Sequence, residues 1–240
     1  MFSQLLLAVL PPIIYLLPLW LLRHLRGGAL PPLPADYRLG RRGHHGLFKL
    51  IRDYEFTTVL DVGAGEGAHA ALLHQSGKEV TALDFSTSVY ASKRPERVPW
   101  PRVDTNFLDF RPDAAFDCLW ACHVLEHQTD PGAFIRHCMA LTRPEGIIAI
   151  TVPPLKHRIV GGHLSLWNAG LLLYQLTFNG IDTCNAAVCT YGYNISVIVR
   201  NRRRPDIPLD YDKGDLDKLR PYMPAFVSEP FDGRIQRWNW

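Results

Sequence analysis

Residues 58–67 read Thr-Val-Leu-Asp-Val-Gly-Ala-Gly-Glu-Gly, an apolar run that ends in Asp61 and breaks into three alternating glycines. Val59, Leu60 and Val62 suit a buried central parallel strand, and Gly63, Gly65 and Gly67 permit a tight turn in which backbone comes within contact distance of a ligand. A second apolar run, 79–85, ends in Asp84 about 20 residues beyond the glycines, the offset at which doubly wound folds set a carboxylate against the two hydroxyls of a ribose. Three imidazoles, His123, His127 and His163, titrate near neutral pH and can take a proton from a reacting hydroxyl or amine. Each feature alone has a plainer use: the loop as a strand-to-helix turn, and Asp84 as an N-cap before Ser-Thr-Ser.

The glycine spacing narrows the choice. A dinucleotide fingerprint, G-x-G-x-x-G, would need its third glycine at Ala68, which disfavours a nicotinamide-dependent oxidoreductase. A phosphate-cradling loop would end in Gly-Lys-Ser/Thr, and no lysine lies between Lys49 and Lys78. The remaining pattern, acidic-x-Gly-x-Gly-x-Gly, resembles the first motif of the class I S-adenosylmethionine-dependent methyltransferases. Residues 116–127, Phe-Asp-Cys-Leu-Trp-Ala-Cys-His-Val-Leu-Glu-His, resemble that family's fourth strand and the turn after it. The resemblance covers about residues 46–200, with specific motifs in its first half and general topology in its second.

It implies S-adenosylmethionine as cofactor, bound by Asp61, Gly63, Ala64, Gly65, Gly67, Asp84, Phe85, Asn106, Phe107 and His123. Asn106 stands where the family usually has an acidic residue, and its amide can still pair with an adenine edge. Phe107 is expected against the ring. His127 belongs to a turn shared by enzymes with many acceptors, so His123 and His163 are the candidates for a catalytic base. A base is needed only if the acceptor is a hydroxyl or a protonated amine. Residues 161–167, Gly-Gly-His-Leu-Ser-Leu-Trp, resemble the acceptor segment of methyltransferases of glycan and lipid pathways, where Trp167 could offer a stacking surface to a saccharide.

The elements that must position these residues are legible from periodicity. Leu47, Leu50 and Ile51 mark a cover helix over 46–54, and a helix follows the glycine loop from Ala68 to His74. A polar helix is expected over 86–94, ended by Pro95, and a short strand around Val103. The alternating residues 118–122 predict a strand buried on both faces. Pro131 opens a helix to about Thr142, 147–154 form a fifth buried strand, and a helix runs to Phe178. Gly192 closes a final strand pair, 186–191 and 193–199. The expected fold class is α/β: a doubly wound, mainly parallel seven-stranded sheet with helices on both faces, plus an apolar N-terminal segment.

Bulk properties set further bounds. At 240 residues a single domain with a full core is the default. A net charge of +3 without a basic stripe gives no ground for nucleic acid as partner. Five cysteines with no C-x-x-C pair favour a reducing compartment over disulfides or zinc, and no metal centre is expected. Residues 1–22 carry no charged side chain, and Arg23, His24 and Arg26 follow. Composition makes 1–26 a membrane-contacting segment, although Pro11, Pro12 and Pro18 interrupt a continuous helix ladder. A kinked span, a shallow anchor and a cover for the domain's own apolar surface all remain open. Basic residues on its carboxyl side put the rest of the chain in the cytoplasm, at the inner face of a membrane. Residues 27–45 read as a Pro/Arg/Gly-rich linker, 46–200 as the cofactor domain and 201–240 as a tail without an assigned role. The expected activity is methyl transfer to oxygen of a small amphiphilic, lipid-linked or glycan-type acceptor. The rival is an inactive membrane-tethered scaffold or regulator that keeps the cofactor fold.

Overall fold

The computed structural model describes residues 30–38, 42–85, 87, 89–90, 93–227 and 235–240. The apolar segment expected over 1–26 lies outside the described residues. Among the described residues no helix is long and apolar enough to cross a membrane.

Among the described residues eight strands make one sheet: β1 (Thr58–Val62), β2 (Glu79–Asp84), β3 (Arg102–Asp104), β4 (Phe116–Cys122), β5 (Thr142–Val152), β6 (Ala187–Tyr191), β7 (Asn194–Arg200) and β8 (Arg237–Trp238). Their order across the sheet is β3-β2-β1-β4-β5-β7-β6-β8. The first five are mutually parallel, with Val59 beside Val80 on one side and Cys118 on the other. The last three run antiparallel, the β6–β7 hairpin turning at Gly192. The chain leaves β1 towards β2 and β3, then returns to place β4 on β1's other flank. That reversal opens a crevice at the carboxyl ends of β1 and β4, where open α/β sheets bind ligands.

Strand alternation feeds two cores. Leu60, Val62, Leu119 and Ala121 face helices α4 (Pro131–Leu141) and α5 (Ala169–Phe178), where Phe134, Ile135, Leu172 and Leu176 are fully buried. Val59, Cys118 and Trp120 face α2 (His44–Asp53) and α3 (Ala68–Gln75) through Leu47, Leu50 and Leu73. Two helix starts are capped by side chains, which supply acceptors for otherwise unpaired amides. Asp130 accepts from the Ala133 N–H at 2.8 Å before α4, and Asn168 accepts from the Leu171 N–H at 2.7 Å before α5.

The structure departs from the sequence reading in four places. The sheet has eight strands rather than seven, because Arg237–Trp238 pairs with β6. The compact unit is Pro32–Trp240, so residues of the expected linker and tail belong to it. Its added elements include α1 (Ala35–Arg38) and α6 (Asp215–Leu219), and Leu219, Met223 and Val227 are buried. The described residues of 86–94 hold turns, a 3-10 position at Lys93 and a bend at Arg94, with no α-helix among them. Trp167 is 2% exposed and sits in the α4/α5 core, so it offers no stacking surface to a saccharide.

Candidate active site

Asp61, next to last in β1, is fully enclosed, and its Oδ2 has no hydrogen-bond partner. Burial pushes its carboxyl up to about 8, the negative charge of Asp84 adds to the rise, and the Ala70 amide opposes it. A buried acceptor of this kind calls for a cation or a donor from a ligand. Beyond it, Gly63 has φ +70°, and a Cβ there would lie 2.3 Å from Val124 Cγ2. Gly65 has φ +55°, a backbone geometry that costs an ordinary side chain energy. The glycines therefore serve the turn itself.

Asp84 ends β2 and holds the glycine loop to its own strand. Its Oδ2 accepts from the Gly65 N–H at 2.7 Å and its Oδ1 from the Phe85 N–H at 2.7 Å. Arg94, not anticipated from the motifs, lies 3.1 Å from Asp84 Oδ2 and 2.7 Å from Asp104 Oδ1. It also donates to the carbonyls of Gly65 and Phe85. One guanidinium thus ties the glycine loop to the ends of β2 and β3, which fixes the shape of the crevice floor.

A cavity of about 280 Å³ opens over these strand ends. It brings together six of the sequence candidates: Gly63, Asp84, Phe85, Asn106, Phe107 and His123. Val62, Leu83, Tyr90, Thr105, Val124, His127 and Gln128 complete its wall. Ala64, Gly65 and Gly67 line a smaller adjoining recess with Arg94 and Trp100, while buried Asp61 lines neither. Asn106 accepts from the Leu108 N–H at 3.0 Å and so caps the short turn that presents Phe107. Phe107 packs on Phe134 at 4.6 Å, which holds its ring at the cavity edge.

His123 and His127 line this cavity, whereas His163 lines a separate recess with Pro153, Lys156 and Tyr193. His123 follows β4 with φ +57°, and Leu125, in the core, anchors the turn that carries Glu126 and His127. His123 Nε2 donates to Asn194 Oδ1 at 3.0 Å, and that oxygen also accepts from the Gly43 N–H at 2.8 Å. His123 Nδ1 lies 3.1 Å from Glu126 Oε1. The Glu126 carbonyl accepts from the Leu164 and Ser165 amides, which draws the 155–166 loop onto the turn. His163 thereby meets His127, ring centroids 4.9 Å apart. Burial holds the His163 imidazole below its ordinary value. Glu126 stood inside the Val-Leu-Glu-His motif, and Asn194 carried no sequence signal at all.

Residues 60–150 match the methyltransferase domain family. The chain is 32% identical over 108 residues to the ubiquinone biosynthesis O-methyltransferase of Rhodopseudomonas palustris, covering 42% of each. It is 29% identical over 97 residues to the trans-aconitate 2-methyltransferase of Escherichia coli, covering 40% of this chain and 38% of that one. The chain spans about two fifths of the length of such curated relatives. In fold it is similar to the 1,6-didemethyltoxoflavin N1-methyltransferase of Burkholderia thailandensis, solved with S-adenosylhomocysteine (TM-score 0.51, 18% identity, 72% of this chain and 93% of that one). It is similar also to the sugar N-methyltransferase KedS8 of Streptoalloteichus (TM-score 0.52, 16% identity, 75% and 96%). With the sheet order and the glycine loop, these matches make about two fifths of the chain similar to S-adenosylmethionine-dependent methyltransferases, in a fold shared with solved members of that class.

Proposed function

We propose that the chain binds S-adenosylmethionine in the β1–β4 crevice and transfers its methyl group to a hydroxyl oxygen of an amphiphilic acceptor, lipid-linked or glycan-type. The residues present fit that cofactor. Asp61 supplies an unpaired buried acceptor for a cationic group, Asp84 an anchored carboxylate for a ribose diol, and Asn106 and Phe107 an amide and a ring for a nucleobase. When bound, the cofactor supplies an electrophilic methyl on a sulfonium, which becomes a neutral thioether as the acceptor oxygen takes the methyl.

The chain's task is then to hold the acceptor in line, an arrangement that can itself accelerate a reaction by several powers of ten. The hydroxyl proton must also leave. His123 and His163 both stand beside the groove, but His123 has one nitrogen donating to Asn194 and the other against Glu126. His163 is the better placed to act on the acceptor, being only partly enclosed in a neighbouring recess and set against His127.

The single observation that favours an amphiphilic acceptor is the loop that carries His163. Leu155, Ile159, Val160, Leu164 and Leu166 are all exposed there, at 39–63%, more apolar surface than a short loop needs for its own packing. Lys156 and Arg158 lie among them. Attachment of residues 1–26 to the cytoplasmic face of a membrane would raise the effective concentration of such an acceptor. The test is turnover of a polyprenyl-type hydroxylated acceptor in vesicles. It should rise when full-length enzyme shares the vesicle and fall when 1–26 is removed, whereas equal turnover by the full-length and shortened chains would point to a soluble acceptor.

A further inference from the structure

Glu126 is fully buried, yet neither carboxylate oxygen has a hydrogen-bond partner. The groups facing it are imidazole nitrogens that have spent their protons elsewhere. His127 Nδ1 lies 2.7 Å from the Gly162 carbonyl, an acceptor only, so the proton is on Nδ1 and the lone pair of Nε2 is left at 3.9 Å from Glu126 Oε1. His123 Nε2 donates to Asn194 Oδ1, whose orientation is fixed because it also accepts from the Gly43 N–H, and His123 Nδ1 is left bare at 3.1 Å from the same carboxylate oxygen. One proton shared by His123 and Glu126 would satisfy that pair alone and leave Glu126 Oε2 unpaired. Ligand atoms of Glu126, His127 and His163 all lie within 4.8 Å of one another.

A cluster of acceptors without donors is the arrangement that a cation completes. We propose that Glu126, His127 and His163 bind a divalent first-row transition ion, zinc in the first place. Two imidazoles and one carboxylate, with a further position open to the cavity, suit a borderline ion and not magnesium or calcium, which take oxygen ligands. The Nδ1–H of His127 on the Gly162 carbonyl is the outer contact that sets a ligating tautomer. Bonds of roughly 2.0–2.2 Å require the ligand atoms to draw in somewhat from their present spacing. The turn carrying His127 and the loop carrying His163 provide for that, because both side chains are partly exposed.

The ion's role rests on the proposed methyl transfer, although the site itself does not. Bound at the cavity wall, the ion takes an acceptor hydroxyl as ligand and lowers its pKa, so the proton leaves to water and the oxygen is the nucleophile. His163 then serves as a ligand in place of a base.

The experiment uses the metal-free full chain, titrated separately with Zn²⁺, Co²⁺ and Mg²⁺ by calorimetry, with the Co²⁺ absorption spectrum recorded. The site predicts one equivalent of Zn²⁺, visible d–d bands with Co²⁺, no saturable Mg²⁺ binding, and loss of Zn²⁺ and Co²⁺ binding in H163A and E126Q. Each variant is also titrated with S-adenosylmethionine as a check of folding, and H163A covers the case in which buried Glu126→Gln does not fold. A parent that binds cofactor but no stoichiometric Zn²⁺ overturns the proposal and leaves the function standing, as does Zn²⁺ binding unchanged in H163A. A parent that binds Zn²⁺ through these residues but no cofactor upholds the site and removes the methyl-transfer reading.

Discussion

Asp61 is the residue through which the stability of the fold and the proposed cofactor are most directly coupled. Its carboxyl is pushed up to about 8 in the folded chain, against about 3.9 when unfolded. Between those values the unfolded chain is ionised while the folded chain keeps its proton, so this residue's contribution to stability falls as pH rises from about 4 to about 8. Asp61→Asn should therefore raise the melting temperature of the ligand-free protein at pH 8. It should also shrink the increase that S-adenosylmethionine produces, because the carboxylate that would face a cationic group is gone. Scanning calorimetry with and without cofactor reads both effects. A variant that melts lower and responds fully to cofactor would contradict the assignment.

At the scale of elements, the packing of α2 and α3 on the sheet carries its own pH response. His69 on α3 donates through Nε2 to the Arg42 carbonyl at 3.0 Å and accepts at Nδ1 from the Trp120 indole at 3.1 Å, which joins the helix to β4. Burial lowers its pKa to about 4. The unfolded chain protonates first, so stability is lost as pH falls from about 6.5 towards 4. His69→Gln should flatten that acid limb in urea titrations at pH 7 and pH 5; an unchanged difference between the two would place the acid sensitivity elsewhere. Elements were the level at which the sequence was most informative. Alternation marked β4 because Cys118, Leu119, Trp120 and Ala121 are all buried, and glycine spacing marked the β1 turn because Gly63, Gly65 and Gly67 all take φ above zero. The cluster of Glu126, His127 and His163 was not legible, since two backbone bonds to the Glu126 carbonyl bring together residues far apart in the chain. Arg94 and Asn194 were missed for the same reason. Trp167 was misjudged because neither its residue type nor its neighbours distinguish a core indole from a binding surface.

At the scale of the whole molecule, the two ends of the chain are expected to differ in consequence. The compact unit starts at Pro32, so removing 1–26 should leave cofactor affinity nearly unchanged. Ending the chain at Arg200 removes Leu219, Met223 and Val227 from the core and β8 from the edge of β6. Burial of each such side chain is worth about 1.5–3 kcal/mol, and together they are comparable with the whole stability of a domain, about 5–15 kcal/mol. The truncated chain should lose cooperative thermal unfolding; a sharp transition like the parent's would show that residues 201–240 are dispensable to the fold. Two residues of strand at 237–238 escaped the sequence reading because so short a segment has no period, and its pairing with β6 is fixed by tertiary packing.

The central claim is that the glycine loop and the two acidic strand ends form an S-adenosylmethionine site. Calorimetric titration of the full chain with S-adenosylmethionine and, separately, with NAD tests it most directly, using Gly65→Val as the control. Gly65 has φ +55° and faces the Tyr90 ring, so a branched side chain there strains the turn and narrows the approach to the loop. The site as described predicts one equivalent of S-adenosylmethionine bound by the parent, no saturable NAD binding, and loss of cofactor binding in the variant. Binding of NAD in preference, or equal S-adenosylmethionine affinity in parent and Gly65→Val, would contradict it.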